Sequence, residues 1–207
     1  MAIKAIVFDI SEVLIKENKY KSRVLFCEET NIPLNQFQQF VKKNLEKSFK
    51  GIWDSRKFFK IMVEELNLDK NPYELMKTWI DIRKKLSERN NTVIRLAEKL
   101  SKSYLVIGVA NTTQLNEKIR KEMGFYDIYQ LFEFIVFSNK IKTMKHEDKF
   151  YKMVLKRLKR KKLENREILV IDQDKKNLET ARRLGMGTIQ FKDSITLKTD
   201  LRKFGVA

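Results

Sequence analysis

The sequence predicts an α/β protein: a doubly wound parallel sheet with an all-helical unit inserted after the first strand. Three observations carry that expectation. Five short apolar runs rich in Ile, Val and Phe recur along the 207 residues, amphipathic helical patterns separate the last four, and the interval from 16 to 100 shows no strand pattern. Short apolar strands alternating with helices point to a parallel sheet covered on both faces.

Taken in order, the first run is Ile3–Phe8 within "IKAIVFDISEVLI", and it stops on Asp9. From 16 to 100 the pattern reads as four or five helices broken at Pro33, Gly51 and Pro72. Such a block is an insertion and not a crossover. Residues 1–15 and 101–207 are therefore expected to form the core domain, and 16–100 a helical cap domain. Further strands are expected at Tyr104–Val109, Phe134–Phe137, Glu167–Ile171 and Thr188–Phe191, with helices at Leu115–Met123, Glu147–Leu158 and Lys175–Leu184. In Glu147–Leu158 the residues Phe150, Val154 and Leu158 fall on one face, and Lys149, Lys152 and Lys156 on the other.

Composition narrows the function classes. A hydrophobic content of 43% is ample for a core. Cys27 is the single cysteine, so an intrachain disulfide is excluded and a reducing, cytoplasmic setting is expected. The apolar run before Asp9 is too short for a signal peptide. No stretch approaches the roughly 20 apolar residues that span a bilayer. One histidine argues against a His-based metal site. Charge is the unusual feature: 44 Lys and Arg against 27 Asp and Glu leave +17. The segment Lys140–Arg166 holds 12 basic and 3 acidic residues, a net +9. A solvated lysine-rich surface, a non-specific polyanion-binding face and a channel for small phosphorylated substrates are the three readings of that segment.

Ligands of open α/β sheets bind beyond the carboxyl ends of the strands. Asp9, Asn111, Lys145 and Asp172 each follow a predicted strand, so four polar groups are expected to converge in one crevice. Singly, Asp9 and Asp172 could cap helices or turns, and Lys145 could be one lysine among the 44 basic residues. Four in this order form a site.

At these residues the sequence resembles the haloacid dehalogenase superfamily, whose members are mostly phosphatases on a Rossmann-like core. "IVFDISEVLI" looks like the first motif, with Asp9 at the nucleophile. "LVIGVANTTQL" looks like the second, a strand ending in a small hydroxyl residue followed by Asn. "KIKTMKHEDKFY" resembles the third, with Lys145 at its lysine and Tyr151 at its downstream aromatic. "ILVIDQDKKNLETARRLGMGTIQF" resembles the fourth, and "FKGIWDSRKFFKIMVEEL" a helix pair of family caps. The resemblance implies an aspartate that attacks phosphorus. It implies Mg²⁺ held by that aspartate, by the backbone carbonyl two residues on, and by a fourth-motif acid. The lysine and the second-motif hydroxyl would hold phosphoryl oxygens.

Carried over residue by residue, the catalytic pair is Asp9 and Lys145, the substrate-binding residues are Asn111 and Thr112, and the Mg²⁺ set is Asp9, the Ser11 carbonyl, Asp172 and Gln173. Three positions depart from the pattern. Ser11 replaces the acid that serves as general acid and base, a loss typically worth roughly 10²- to 10⁴-fold in rate. Ala110 replaces the second-motif hydroxyl, leaving Thr112 or Thr113 to substitute for it. Counting back from Ala181 and Gly185 puts Gln173 at the main Mg²⁺ position and Asp172 at the acid before it, so metal binding is expected to be weak or lost. The resemblance thus implies a phosphatase-type hydrolase of weak or specialised activity on a small phosphorylated substrate. The alternatives are a non-catalytic relative that binds nucleic acid or protein, and a metal-independent dehalogenase-like hydrolase, against which Ala110 counts.

Overall fold

The computed structural model describes residues 2–206. Five strands form one parallel sheet: β1 (Ala5–Asp9), β4 (Leu105–Ala110), β5 (Phe134–Phe137), β6 (Ile168–Asp172) and β7 (Gly187–Gln190), in the order β5-β4-β1-β6-β7. β1 is central, with Val7 level with Ile107 on one side and Val170 on the other. Every residue of β1 and β6 is buried, as the continuous apolar runs require of strands covered on both faces. The pleat sorts them. Ile6, Phe8, Leu169 and Ile171 enter one cluster, and Ala5, Val7, Ile168 and Val170 the other.

Each cluster is closed by helices. On one face lie α5 (Asn91–Ser101), α10 (Ser194–Lys203) and the 3-10 turn Phe125–Leu131, through Val93, Ala97, Leu197, Leu201 and Ile128. On the other lie α8 (Asp148–Lys159) and α9 (Lys175–Arg183), through Phe150, Val154, Leu158 and Leu178. Gly108 is glycine because a Cβ there would come within 2.9 Å of the Phe132 ring. Strands and helices agree with expectation to within about two residues, the ordinary uncertainty of element ends. The shift has a direction that matters: β1 and β6 run one residue further, so Asp9 and Asp172 are themselves the last strand residues.

Between β1 and β4 lies a helical lobe of α1 (Lys19–Thr30), α2 (Leu34–Phe49), α3 (Ser55–Glu65) and α4 (Pro72–Leu86). Its own cluster holds Phe26, Phe37, Phe40, Phe58, Phe59 and Met62. Two features differ from the expected all-helical 16–100 block. Strands β2 (Ile15–Lys16) and β3 (Glu88–Arg89) pair antiparallel as a separate ribbon where the chain leaves and re-enters the core. Two-residue strands leave no periodic signal in a sequence. Helix α5, moreover, packs on the sheet and not in the lobe, because its Val93, Ile94, Ala97 and Leu100 face the core cluster. The helical lobe therefore ends near Leu86. Among the described residues, no helix is long and apolar enough to cross a membrane.

The lobe is fastened to the core at several points. Ser138 Oγ donates to the Phe49 carbonyl at 2.7 Å, and Lys50 Nζ pairs with Glu147 Oε1 at 2.8 Å. Gly51 sits at φ +65°, and an added Cβ would collide with the Asn139 carbonyl. The deepest joint is a buried ion network. Glu17 accepts from Arg120 of α6 (Gln114–Glu122) and pairs with Arg83 of α4 at 3.0 Å, all three side chains lying within 5% of full burial. Arg83 Nη1 also donates to the Glu17 carbonyl at 2.8 Å.

That network sets an acid limit on stability. Burial pushes the Glu17 carboxyl up, but the charges of Arg120 and Arg83 outweigh it and hold the group at about 2, below its ordinary 4.5. A carboxyl depressed on folding stabilises above its unfolded pKa, and that contribution is lost as pH falls through the folded value. Glu17→Gln should lower stability by about 3–5 kcal/mol, since it strands two buried guanidiniums. Denaturant unfolding from pH 7 to 2 should also show a shallower loss for the variant between 4.5 and about 2. Parallel curves for the two proteins would place the acid limit elsewhere.

Candidate functional site

Three strands deliver the site. β1, β4 and β6 end side by side, and their last residues are Asp9, Ala110 and Asp172. Lys145 arrives from the loop between α7 (Ser138–Ile141) and α8. Its Nζ lies 2.7 Å from Asp9 Oδ2 and 2.7 Å from Asp172 Oδ2. All three residues are at most 4% exposed. The remaining oxygens are also engaged. Asp9 Oδ1 accepts from the Ser11 N–H at 3.3 Å, and Asp172 Oδ1 from the Asp174 N–H at 2.8 Å. Asn177 Nδ2 donates to Asp172 Oδ2 at 3.1 Å.

With both carboxylates ionised, this buried centre of two acids and one ammonium carries one negative charge in excess. Burial pushes the Asp9 carboxyl up, Asp172 adds to the shift, and Lys145 opposes it, leaving the group at about 7. Burial lowers the Lys145 ammonium, but Asp172 and Asp9 outweigh it and hold it above its ordinary value. The centre is thus poised to accept further positive charge. Asp9, Asp172 and the Ser11 carbonyl are hard oxygen donors of the kind Mg²⁺ takes, so the donor chemistry fits that ion. Gln173 is exposed at the rim, and its carbonyl accepts from Gln190 Nε2 at 3.2 Å. It adds at most a neutral amide. A separate group of possible metal ligands, Glu46, His146 and Glu147, is already bridged by Lys50, 2.7 Å from Glu46 and 2.8 Å from Glu147.

The other expected residues are placed unevenly. Asn111 borders the cavity, and its Oδ1 accepts from the Lys145 backbone N–H at 3.0 Å, which fixes the lysine's loop. Thr112 is fully buried and does not line the cavity; its N–H donates to Ser138 Oγ at 3.0 Å. Thr113 does line it, with Oγ1 accepting from the Asn116 N–H at 3.1 Å as the cap of α6. Ser11 is turned to another task. Its Oγ accepts from Arg120 Nη2 at 2.7 Å, which joins it to the Glu17 network.

Above the polar centre the helical lobe closes a cavity of about 310 Å³. Its upper walls are aromatic, with Phe37, Phe58 and Trp79, and Arg23 of α1 projects among them. Sequence reasoning missed Arg23, Glu17, Arg83 and Arg120, because nothing in their spacing separates them from other surface charges. Asn177 was findable, five residues after Asp172 on the inner face of a helix. The basic segment Lys140–Arg166 divides. Lys145 is buried in the site, whereas Lys149, Lys152, Lys156, Lys159 and Arg160 are exposed along α8 and its end. α8 starts beside the site and returns the chain to the start of β6, so "KRLKRKK" lies at the opposite edge of the sheet and does not feed the cavity.

Comparison with known proteins follows the same motifs. The haloacid dehalogenase-like hydrolase family model matches residues 6–191. A predicted HAD-like family hydrolase from Porphyromonas gingivalis has a TM-score of 0.78 at 16% identity, over 98% of this chain and 99% of that one. A HAD family enzyme from Bacteroides thetaiotaomicron, solved with magnesium and inorganic phosphate, has a TM-score of 0.75 at 21% identity, over 92% of this chain and 95% of that one. A search of curated protein sequences finds no match. Because the family model spans β1 through β7, the chain belongs to the haloacid dehalogenase-like hydrolases, and these solved structures share its fold.

Proposed function

We infer that the protein is a phosphatase-type hydrolase of low or specialised activity, acting on a small phosphomonoester through Asp9. The observation that carries this reading is the Lys145 ammonium held 2.7 Å from both Asp9 and Asp172 at the strand ends. The magnesium and inorganic phosphate in the Bacteroides enzyme belong to that protein, and they support the same ligand chemistry here.

In this reading an Asp9 carboxylate oxygen attacks phosphorus in line with the ester oxygen. The phosphorus–oxygen bond to the leaving group breaks with its electron pair, and the alkoxide or phenoxide takes a proton from water. Lys145 donates N–H groups to the phosphoryl oxygens and offsets their charge. Water then attacks the aspartyl-phosphate, which returns the Asp9 carboxylate and releases inorganic phosphate. Asp9, Asp172 and the Ser11 carbonyl would hold Mg²⁺, which would supply the charge neutralisation that lets one anion approach another. Asn111 positions the lysine loop. The helical lobe serves as a cap that excludes water from the cavity.

The absence of a carboxylic acid at position 11 shapes the expected activity. Nothing there protonates the leaving group, and the Ser11 hydroxyl is committed to Arg120. Good leaving groups should therefore be favoured strongly. With Mg²⁺, an aryl phosphate should be turned over slowly, and an alkyl phosphate about 10²- to 10⁴-fold more slowly still. Asp9→Asn should lose the aryl phosphatase activity by about 10³-fold or more while remaining folded. Equal rates for wild type and variant would sink the aspartyl mechanism. Metal affinity gives a separate check. Gln173→Asp adds a carboxylate at the rim and should tighten Mg²⁺ binding in titration calorimetry. Unchanged affinity would mean that Asp172 alone supplies the fourth-motif ligand.

A further inference from the structure

Two cations of the cavity wall are left unused by the chemistry above, Lys19, which pairs with Glu12 at 3.6 Å, and Arg23. Arg23 lies on the first turns of α1, half-buried, and projects into the cavity under the lobe. Among the described residues it makes no ion pair. Its charged neighbour is Arg83, and burial together with that like charge lowers the Arg23 guanidinium below its ordinary value. Arg83 needs nothing further, since it pairs with Glu17 and stacks on Trp79 with 5.9 Å to the ring centroid. The acids that line the same cavity are all engaged elsewhere. Glu17 holds two arginines, and Asp9 and Asp172 share Lys145. Asp54 caps α3 through the Lys57 N–H at 2.8 Å, and Asp174 caps α9 through the Lys176 N–H at 2.9 Å.

A guanidinium half out of water, beside a second guanidinium and without a carboxylate, is unfavourable unless an anion visits it. The walls near it are the rings of Phe37, Phe58 and Trp79, which would hold an apolar or aromatic body. We propose that Arg23 binds a second anionic group of the substrate, a carboxylate or a phosphate, at the end remote from the phosphoryl group that meets Asp9. The substrate class is then a phosphomonoester with an apolar middle and an anionic tail. This rests on the phosphomonoester reading of the polar centre. Arginine suits the task because its planar fork meets either anion with two parallel hydrogen bonds, which an ammonium cannot do.

The test separates this proposal from the hydrolase reading by measuring binding without turnover. Phenylphosphonate and 4-carboxyphenylphosphonate, and the shorter pair propylphosphonate and 3-phosphonopropionate, are titrated calorimetrically into wild type, Arg23→Gln and Arg23→Lys in the presence of Mg²⁺. In at least one pair, wild type should prefer the carboxylated member by about 10- to 100-fold, the size of a charge-assisted contact. Arg23→Gln should erase that preference, and Arg23→Lys should keep part of it, which also shows that the site still folds. No preference in wild type for either pair, or an equal preference in Arg23→Gln, overturns the assignment. Failure to bind any phosphonate overturns it as well. Loss of aryl phosphate turnover alone would bear only on the role of Asp9.

Discussion

The arrangement of the core rests on one buried ammonium between two buried carboxylates. Without Lys145, Asp9 and Asp172 would stand at adjacent strand ends with like charge in a medium of low dielectric, a cost of several kcal/mol. The lysine meets both at 2.7 Å, and Asn111, Asn177 and two backbone N–H groups satisfy the oxygens and the loop around it. This ties together β1, β6, the start of α9 and the loop after α7. It leaves the centre one charge short of neutral. A centre that is satisfied yet still negative accepts a cation or the positive end of a chemical step more readily than a neutral one.

The second buried network does the equivalent work for the lobe. Glu17 follows the β2 ribbon, Arg83 closes α4, and Arg120 comes from α6 of the core, so one carboxylate bonds the exit from the core, the lobe's last helix and the core together. The lobe's apolar cluster crosses the same joint, since Leu115 and Ile119 of α6 pack with Phe26 and Met62. Exposed pairs such as Lys84–Glu122 at 2.6 Å add little by comparison. The cavity lies between these two networks, which commit Asp9, Asp172 and Glu17, and among the described residues Arg23 is the Lys or Arg on its wall that makes no ion pair.

Much of this was legible in the residue order. Continuous apolar runs identify strands buried on both faces, and an acid directly after each of two runs marks the carboxyl edge of the sheet. Asp9 and Asp172 were therefore recoverable from spacing, and Lys145 from the resemblance of "KIKTMKHEDKFY" to the third motif. Thr112 was not. A hydroxyl beside Asn111 reads as a ligand until the backbone, held by the Thr112 N–H on Ser138 Oγ, buries it and presents Thr113 in its place. Helix α5 was lost for a related reason. Its apolar face at Val93, Ile94, Ala97 and Leu100 has the same period as the lobe helices before it, and a period does not say which layer it packs on. The ribbon of β2 and β3 is too short for any period at all. The arginines of the cavity were the least visible, because among 44 basic residues only three-dimensional company distinguishes one from another.

Position 11 shows how the two networks bear on each other. An aspartate there would be the family's acid and base, and Ser11 looks at first like a simple deletion of it. Yet the Ser11 hydroxyl is not idle: Arg120, the guanidinium that anchors Glu17, reaches it at 2.7 Å. A carboxylic acid placed at that distance from a buried arginine would be held ionised, since an opposite charge within a few ångströms lowers a carboxyl pKa by about 1–3 units. Held ionised, it could not protonate a leaving group. The serine is therefore matched to Arg120: a neutral hydroxyl accepts one hydrogen bond from the guanidinium without competing with Glu17 for its charge. The absence of an acid at 11 and the presence of the Glu17 joint are two sides of one arrangement, in which position 11 serves the seat of the lobe; on the proposed phosphatase reading the chemistry falls to Asp9, Lys145 and water.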